Sequence, residues 1–386
     1  MPGLVKVRHD LHRHPELGYQ EKRTSGVIAR ELTSMGVKHV TGLARGTGVL
    51  AHIPATVGDG EAGDAIALRA DMDALPISEQ TGLEYSSVHA GVMHACGHDG
   101  HTTNLLGVAR VLMKVPSRPR SVTLIFQPAE EGGGGGLAMC NDGVLDGRVI
   151  GPPVKMVFGL HGWPQLPVGV VATRPGPLLA ATDNFIVTIK GTQAHAAYPH
   201  FGADPIVAAA HCVTALQTIA SRNVSPLDSI VVTVATINGG TARNIIPQHA
   251  KFVGTMRTLT PEVRVLGRKR FFQIVQSTAT AMGCEAVIDW EEGYPVTSND
   301  PGATQRFFDV ARLTLGAEHV LGVSEPSMGG EDFSYYGLRV PACFFVLGVR
   351  PADRATYPTL HQPEFDFNDD AMPTGIEVMC KLALQA

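Results

Sequence analysis

The sequence predicts an α/β protein. Its main domain carries a mostly parallel sheet covered by helices, and a ferredoxin-like βαββαβ domain is inserted into it. Three patterns carry that reading. Short continuous apolar runs alternate with helical periodicities over roughly the first 175 residues, as in sheets buried on both faces. From residue 182 the strands alternate apolar and polar positions, as in half-exposed sheets, and the order over 182–294 is β-α-β-β-α-β. After Pro295 the first texture returns. A chain of 386 residues also exceeds what one hydrophobic core usually organises. The expected division is a discontinuous domain over 1–181 and 295–386, with an insertion over 182–294.

The elements follow in order. Residues 11–35 show helical apolar spacing with charges between. AIALRA at 65–70 is a short apolar strand ending in Asp71-Met72-Asp73. Residues 102–115 place Leu105, Leu106, Ala109, Leu112 and Met113 at helical spacing. VTLIF at 122–126 and MVFGL at 156–160 read as buried strands. In the insertion, 183–190 is a strand. Asp204-Pro205 starts a helix to about residue 221, with aspartate as cap and proline where no donor is lost. Strands follow at 229–237 and 250–259. Thr260-Pro261 opens a second helix to about residue 282, and 284–290 is the last strand. A helix at 301–315, a strand at 342–347 and a helix at 371–384 complete the main domain.

Composition excludes several classes. The net charge of −5 leaves no basic excess for nucleic-acid phosphates. No apolar run is long enough to span a membrane. The N-terminal stretch has no apolar segment of signal-peptide type. Six scattered cysteines without a CxxC pair predict reduced thiols, hence a cytoplasmic protein.

Polar clusters fall where strands end, and open α/β sheets bind ligands beyond the carboxyl ends of their strands. Asp71 and Asp73 follow one strand, Glu130 and Glu131 another, His161 a third, and His361 lies downstream of a fourth. The densest group is His94-Ala-Cys96-Gly-His98-Asp99-Gly-His101. Cysteine and histidine two apart can face one ion in a looped segment. A lone histidine is more often packed or solvated, but four ligand-type side chains in eight residues favour a metal. Asp99 could instead cap the following helix. Glu130 and Glu131 point different ways, so one can bind a cation while the other moves a proton. A solvated acidic loop is the bland alternative, weakened by the preceding proline and the five glycines at 132–136. That glycine run lacks the GK[ST] ending of a phosphate loop. In the insertion, His195 follows a strand, and Asn244 lies near Gly239-Gly240, where a turn residue is also expected.

Taken together, LRADMDALPI, MHACGHDGHTTNLLG, FQPAEEGGGG, GLHGWP, KGTQAHAAYPHFGADPI, GGTARNIIP, GTMRTL, MGGEDFSYY and LHQPEFDFNDD occur in one order. The chain resembles the hippurate hydrolase / N-acyl-L-amino-acid amidohydrolase family of the dimetal carboxypeptidase–aminoacylase superfamily. That family includes hydrolases of indole-acetyl–amino-acid conjugates. The resemblance runs from about residue 8 to 370. It implies a catalytic domain with two divalent metals and an inserted lid that dimerises. Cys96, His98, Glu131, His161 and His361 match the metal ligands, Glu130 the general base, His195 a donor to the scissile carbonyl, and Asn244 a residue near the substrate carboxylate. Relatives outside this branch have His-x-Asp where this chain has Asp71-Met72-Asp73, so Asp71 is not assigned as a ligand and Asp73 takes a supporting role.

The expected activity is metal-dependent hydrolysis of the amide bond of small N-acyl-L-amino acids, hippurate-like, to a carboxylic acid and an amino acid. A dipeptidase or carboxypeptidase acting on short peptides is the alternative within the superfamily. The mixed sulfur, nitrogen and oxygen ligands suit zinc, with manganese, cobalt or nickel as substitutes. Two other mechanisms compete. A nucleophilic Cys96 with His98 or His101 as base leaves Glu130 and Glu131 unexplained. A non-catalytic metal-binding protein has no need of a base beside its ligands.

Overall fold

The computed structural model describes residues 1–57 and 65–385. It divides into two units, one of Met1–Leu178, Thr297–Glu325 and Asp332–Ala386, the other of Leu179–Val296 and Pro326–Glu331. The insertion thus begins slightly earlier than the change of texture, and 326–331 groups with it.

The first unit is built on an eight-stranded sheet. Its strands lie in the order Lys38–Leu43, Gly48–Ile53, Val122–Gln127, Ala65–Asp71, Val154–Pro167, Ala342–Arg350, Val171–Thr173, Val320–Gly322. The four strands from Val122–Gln127 to Ala342–Arg350 run parallel. The Lys38–Leu43 and Gly48–Ile53 strands pair antiparallel. Val171–Thr173 is antiparallel to Ala342–Arg350 and parallel to Val320–Gly322. The sheet is therefore mostly parallel. Every residue of Ala65–Asp71 and Val122–Gln127 is buried, which is why these strands read as unbroken apolar runs. Helices Lys22–Ser34, His98–Leu112, Pro301–Leu315 and Met372–Leu384 cover it, and Ile28, Leu105, Phe307 and Met379 join Phe126 and Phe345 in one core. Helix His98–Leu112 is buried on nearly all sides, so it carries no simple amphipathic stripe.

Several expectations change here. The helix expected over 11–35 is two helices, Pro2–Arg13 and Lys22–Ser34. Pro15 disfavours helical backbone at His14, and Tyr19 takes a positive φ of 61°. The strand expected at 156–160 runs from Val154 to Pro167, so His161 lies within it rather than after it. The glycine run also does more than form a loop, because helix Gly135–Asp142 begins inside it.

The second unit carries a four-stranded antiparallel sheet in the order Ile230–Gly239, His249–Thr258, Ala181–Lys190, Glu285–Glu292. With helices Pro205–Leu216 and Pro261–Ala281 the chain order is βαββαβ, the ferredoxin-like topology. Both helix starts follow the expected cap-plus-proline chemistry. Asp204 accepts from the N–H groups of Ile206 and Val207, and Thr260 accepts from that of Val263. Phe185, Phe252 and Phe271 form the core beneath the helices.

Candidate metal centre

Five chain segments meet at one end of the parallel strands of the first unit. Asp71 ends its strand, and the register Arg69–Gly159 sets it level with His161 on the neighbouring strand. Cys96 and His98 come from the turn into helix His98–Leu112, where Gly97 takes φ +85°. Glu130 and Glu131 follow Val122–Gln127. His361 arrives on a loop, its N–H donating to the carbonyl of Ala95 at 2.8 Å.

The side chains converge as ligands would. Cys96 Sγ lies 3.3 Å from His161 Nε2, and His361 Nε2 lies 3.3 Å from Glu131 Oε1. His98 Nε2 lies 3.9 Å from the same Glu131 oxygen. These separations resemble the edges that tetrahedral bonds of about 2.0–2.3 Å to a common ion produce. Five groups among the described residues have ligand-type atoms within 4.8 Å of one another, and three of them join the expected ligands and base: Cys96 with His98 and His161, Cys96 with Glu131 and His361, and His98 with Glu130 and Glu131. Cys96 and His98 belong to two of these three each.

Hydrogen bonds around the cluster decide which atoms are free. His98 Nδ1 pairs with Asp73 Oδ1 at 3.1 Å, which turns Nε2 into the cluster. His161 Nδ1 donates to the carbonyl of Gly162 at 2.8 Å, which leaves Nε2 as a lone pair beside Cys96. Asp73 Oδ2 also accepts from the N–H of Glu131 at 2.9 Å. One carboxylate therefore orients a histidine and the loop carrying a second ligand-type residue, the arrangement expected just outside a metal's own ligands. Asp71 and His101 are spent otherwise. Asp71 binds Arg69 at 2.6 Å and His101 Nδ1 at 2.6 Å, and His101 Nε2 accepts from the N–H of Gly162 at 2.7 Å.

The residues fit a cation on two counts. His98 Nε2 and Glu131 Oε1 are buried without a hydrogen-bond partner, at the centre of the cluster. Buried polar atoms are costly when unpaired. The charge balance also calls for a cation. Burial, and then Glu131, Glu130 and Asp71, push the Cys96 thiol well above its ordinary range, so a thiolate there needs a compensating positive charge. Burial opposes a charged His98, but Asp71, Asp73 and Glu131 outweigh it and raise its pKa to about 10. A bound ion would replace that proton. Burial and then His101 hold His161 well below its ordinary value, hence neutral and ready to coordinate. Burial works against ionised Glu131, but His361 and His98 beside it outweigh this and lower its pKa. The same field, which raises the thiol well above its ordinary range, disfavours Cys96 as a free nucleophile. His101, with both nitrogens engaged, is not free to act as its base.

Glu130 stands beside this cluster and is 6% exposed. Its Oε1 accepts from the N–H of Asp332 at 3.3 Å. In the second unit, His195 and Asn244 are brought together. Strand Ala194–His195 pairs with Ile245–Ile246, opposite His195, and the Asn244 carbonyl accepts from the N–H of Ala196 at 3.0 Å. His195 is exposed, and its Nδ1 accepts from the N–H of Ala197 at 3.1 Å, which leaves Nε2 as the donor nitrogen.

Residues 67–385 match the description Peptidase family M20/M25/M40. The chain belongs to that family. It is 42% identical over 370 residues to the N-acetyl-L-cysteine deacetylase of Bacillus subtilis, covering 96% of this chain and 84% of the relative. It is 40% identical over 385 residues to the IAA-amino acid hydrolase ILR1-like 4 of Arabidopsis thaliana, covering 98% and 84%. A solved Bacillus subtilis structure described as a dinuclear metal binding peptidase from the M20 family superposes with a TM-score of 0.84 at 33% identity, covering 99% of this chain and 97% of that one.

In this M20 chain the site rests on residues that sequence reasoning did not single out. Arg69 is fully buried and binds Asp71, Gln127 (2.9 Å) and Asp332 (3.0 Å). Asp332 also accepts from Gln127 Nε2 at 2.7 Å and from the N–H of Gly136 at 2.8 Å. The network ties the strand bearing Asp71 to the loop bearing Glu130 and to the first turn of helix Gly135–Asp142. Gly135 is required there, because a Cβ would stand 1.6 Å from the carbonyl oxygen of Pro128. The signal available was a charged Arg69 inside an apolar strand, and the DF pair following Gly329-Gly330-Glu331. Asp99 does not cap its helix. It binds His12 at 2.9 Å and Arg8 at 3.1 Å instead.

Proposed function

We propose that this M20-family hydrolase cleaves the amide bond of N-acyl-L-amino acids, releasing a carboxylic acid and a free amino acid, with two divalent ions held by Cys96, His98, Glu131, His161 and His361. One observation carries the reading: Glu130, a carboxylate beside the ligand-type cluster, is anchored by a backbone N–H and has an oxygen within 4.8 Å of a ligand-type atom of His98 and of one of Glu131. Bound ions would polarise the scissile carbonyl and acidify a water. Glu130 takes the proton of the attacking water and delivers it to the leaving nitrogen. Asp73 keeps His98 and Glu131 aimed. His195 donates from Nε2 to the oxygen that gains charge, and Asn244 binds the substrate carboxylate. Relatives named for N-acetylcysteine and for IAA-amino acid support N-acyl amino acids as the class. A hippurate-like benzoyl group belongs in the same panel, beside short peptides. Zinc is the expected metal, with manganese, cobalt and nickel as add-back comparisons.

The second unit supports a homodimer. Ile206 and Val207 are 41% and 48% exposed on its first helix, and Ile237 is 51% exposed on its edge strand. A monomer in sedimentation at assay concentration would remove that part of the reading. No described helix is long and apolar enough to cross a membrane, and the free buried cysteines support a cytoplasmic setting.

Glu130→Gln tests the mechanism. It keeps the shape and removes the proton acceptor, so metal content stays at the wild-type level while turnover falls ~10²–10⁴-fold. Near-normal turnover by the metal-replete variant would refute the role of Glu130.

A further inference from the structure

The loop that carries Glu130 and Glu131 leaves its strand through an unusual residue. Ala129 takes φ +52°, a left-handed conformation that costs a residue with a Cβ on the order of 1 kcal/mol. Such a conformation persists only where the surroundings impose it. One of the groups that imposes it comes from far away in sequence. Glu21 is fully buried, and its Oε1 accepts from the N–H of Ala129 at 2.8 Å. Glu21 stands immediately before helix Lys22–Ser34, and its carbonyl accepts from the N–H of Ser25, so the backbone behind the side chain is fixed. Its side chain caps no N–H of that helix. It is spent on Ala129 instead.

The neighbouring residues press on the same point. A Cβ on Gly18 would lie 3.1 Å from both Cα and Cβ of Ala129. Tyr19 Oη donates to the carbonyl of Gly133 at 2.8 Å, across the same loop. Two residues beyond Ala129, the N–H of Glu131 is held by Asp73. The backbone on either side of Glu130 is thus clamped by two carboxylates, one at the N–H of 129 and one at that of 131. Asp73 also serves His98. Among the described residues, the Glu21 side chain makes no hydrogen bond or ion pair to a ligand-type side chain.

We propose that Glu21 is a positioning residue for the base: by holding the N–H of Ala129 it fixes the left-handed turn from which the Glu130 carboxylate is aimed. This rests on Glu130 being the base. A carboxylate displaced by about 1 Å from its proton-transfer geometry loses up to ~10²-fold in rate, while ligands set by other residues are undisturbed.

The test compares Glu21→Leu, Glu21→Gln and Gly18→Ala with Glu130→Gln in the zinc-loaded protein, using an N-acetyl amino acid as substrate. The amide oxygen of glutamine can still accept from Ala129. Glu21→Leu lowers kcat at least tenfold, with KM and zinc content within twofold of wild type, and Glu21→Gln keeps at least half of the wild-type kcat. Gly18→Ala pushes on Ala129 from the other side without removing the hydrogen bond. It lowers kcat at least threefold, and it decides the matter should Glu21→Leu fail to fold. An unchanged kcat in Glu21→Leu, or a loss of zinc that accounts for its fall in kcat, overturns the proposal, and so does equal loss in Glu21→Leu and Glu21→Gln. If Glu130→Gln loses turnover while Glu21→Leu does not, only the positioning role fails. If Glu130→Gln keeps turnover, the base assignment fails first and the role of Glu21 with it.

Discussion

His98 and Glu131 each end in a buried atom with no hydrogen-bond partner, and Asp73 holds the other ring nitrogen of His98 and the backbone N–H of Glu131. Replacing Asp73 by asparagine keeps its size but removes its charge. An amide cannot accept at both positions, so one of the two residues loses its restraint. Outer residues of this kind typically set 10–100-fold in metal affinity. Asp73→Asn is therefore expected to weaken metal binding by about that factor, measured by competition with a chromophoric chelator. Unchanged affinity would mean that the two ligand-type residues are held by something else. The residues of this centre were legible because metal chemistry uses few side-chain types and they fall close together, as with Cys96 and His98 or Glu130 and Glu131. Arg69, Gln127, Asp332 and Glu21 were not. Each acts through a partner distant in the chain or through a backbone group, so the local traces, a charge inside the apolar strand at Arg69 and the DF pair at Asp332, do not say what they bind.

At the scale of elements, the N-terminal helix Pro2–Arg13 is bound to the start of helix His98–Leu112 by charge as well as by apolar contact. Arg8, fully buried, pairs with buried Asp99 at 3.1 Å and with Asp366 at 2.9 Å, and also contacts Asp369. His12 lies beside it, on Asp99 at 2.9 Å and Glu79 at 3.2 Å. Burial disfavours charge on His12, but Asp99 and Glu79 outweigh it and push its pKa up to about 10, so it is protonated at neutral pH. Removing one partner of a buried ion pair leaves the other charge unpaired and costs about 3–5 kcal/mol. Since His12 remains on Asp99, Arg8→Met should lose about 3 kcal/mol, read as a lower urea midpoint at unchanged slope. A midpoint within error of wild type would show that His12 alone satisfies Asp99. The helix boundaries here were only partly legible. The periodicity of 11–35 is real but spans a break at Pro15, and short edge strands such as Lys38–Leu43 carry too little apolar signal to be seen. The insertion was easier, because Asp204-Pro205 and Thr260-Pro261 announce both of its helices.

At the scale of the whole molecule, the chain is two units of different architecture. One is a mixed, mostly parallel sheet whose strand ends gather acid, thiol and imidazole. The other is a ferredoxin-like sheet carrying His195 and Asn244. The central claim is that the first unit's cluster takes two divalent ions and that amide hydrolysis depends on them. The most direct measurement removes metal with chelator and titrates zinc back into the full chain. Bound zinc per chain and amino acid released from an N-acetyl amino acid are followed together. The account predicts no hydrolysis in the metal-free protein and full turnover at two ions per chain. Hydrolysis persisting without metal, or none with two ions bound across a panel of N-acyl amino acids, would contradict it.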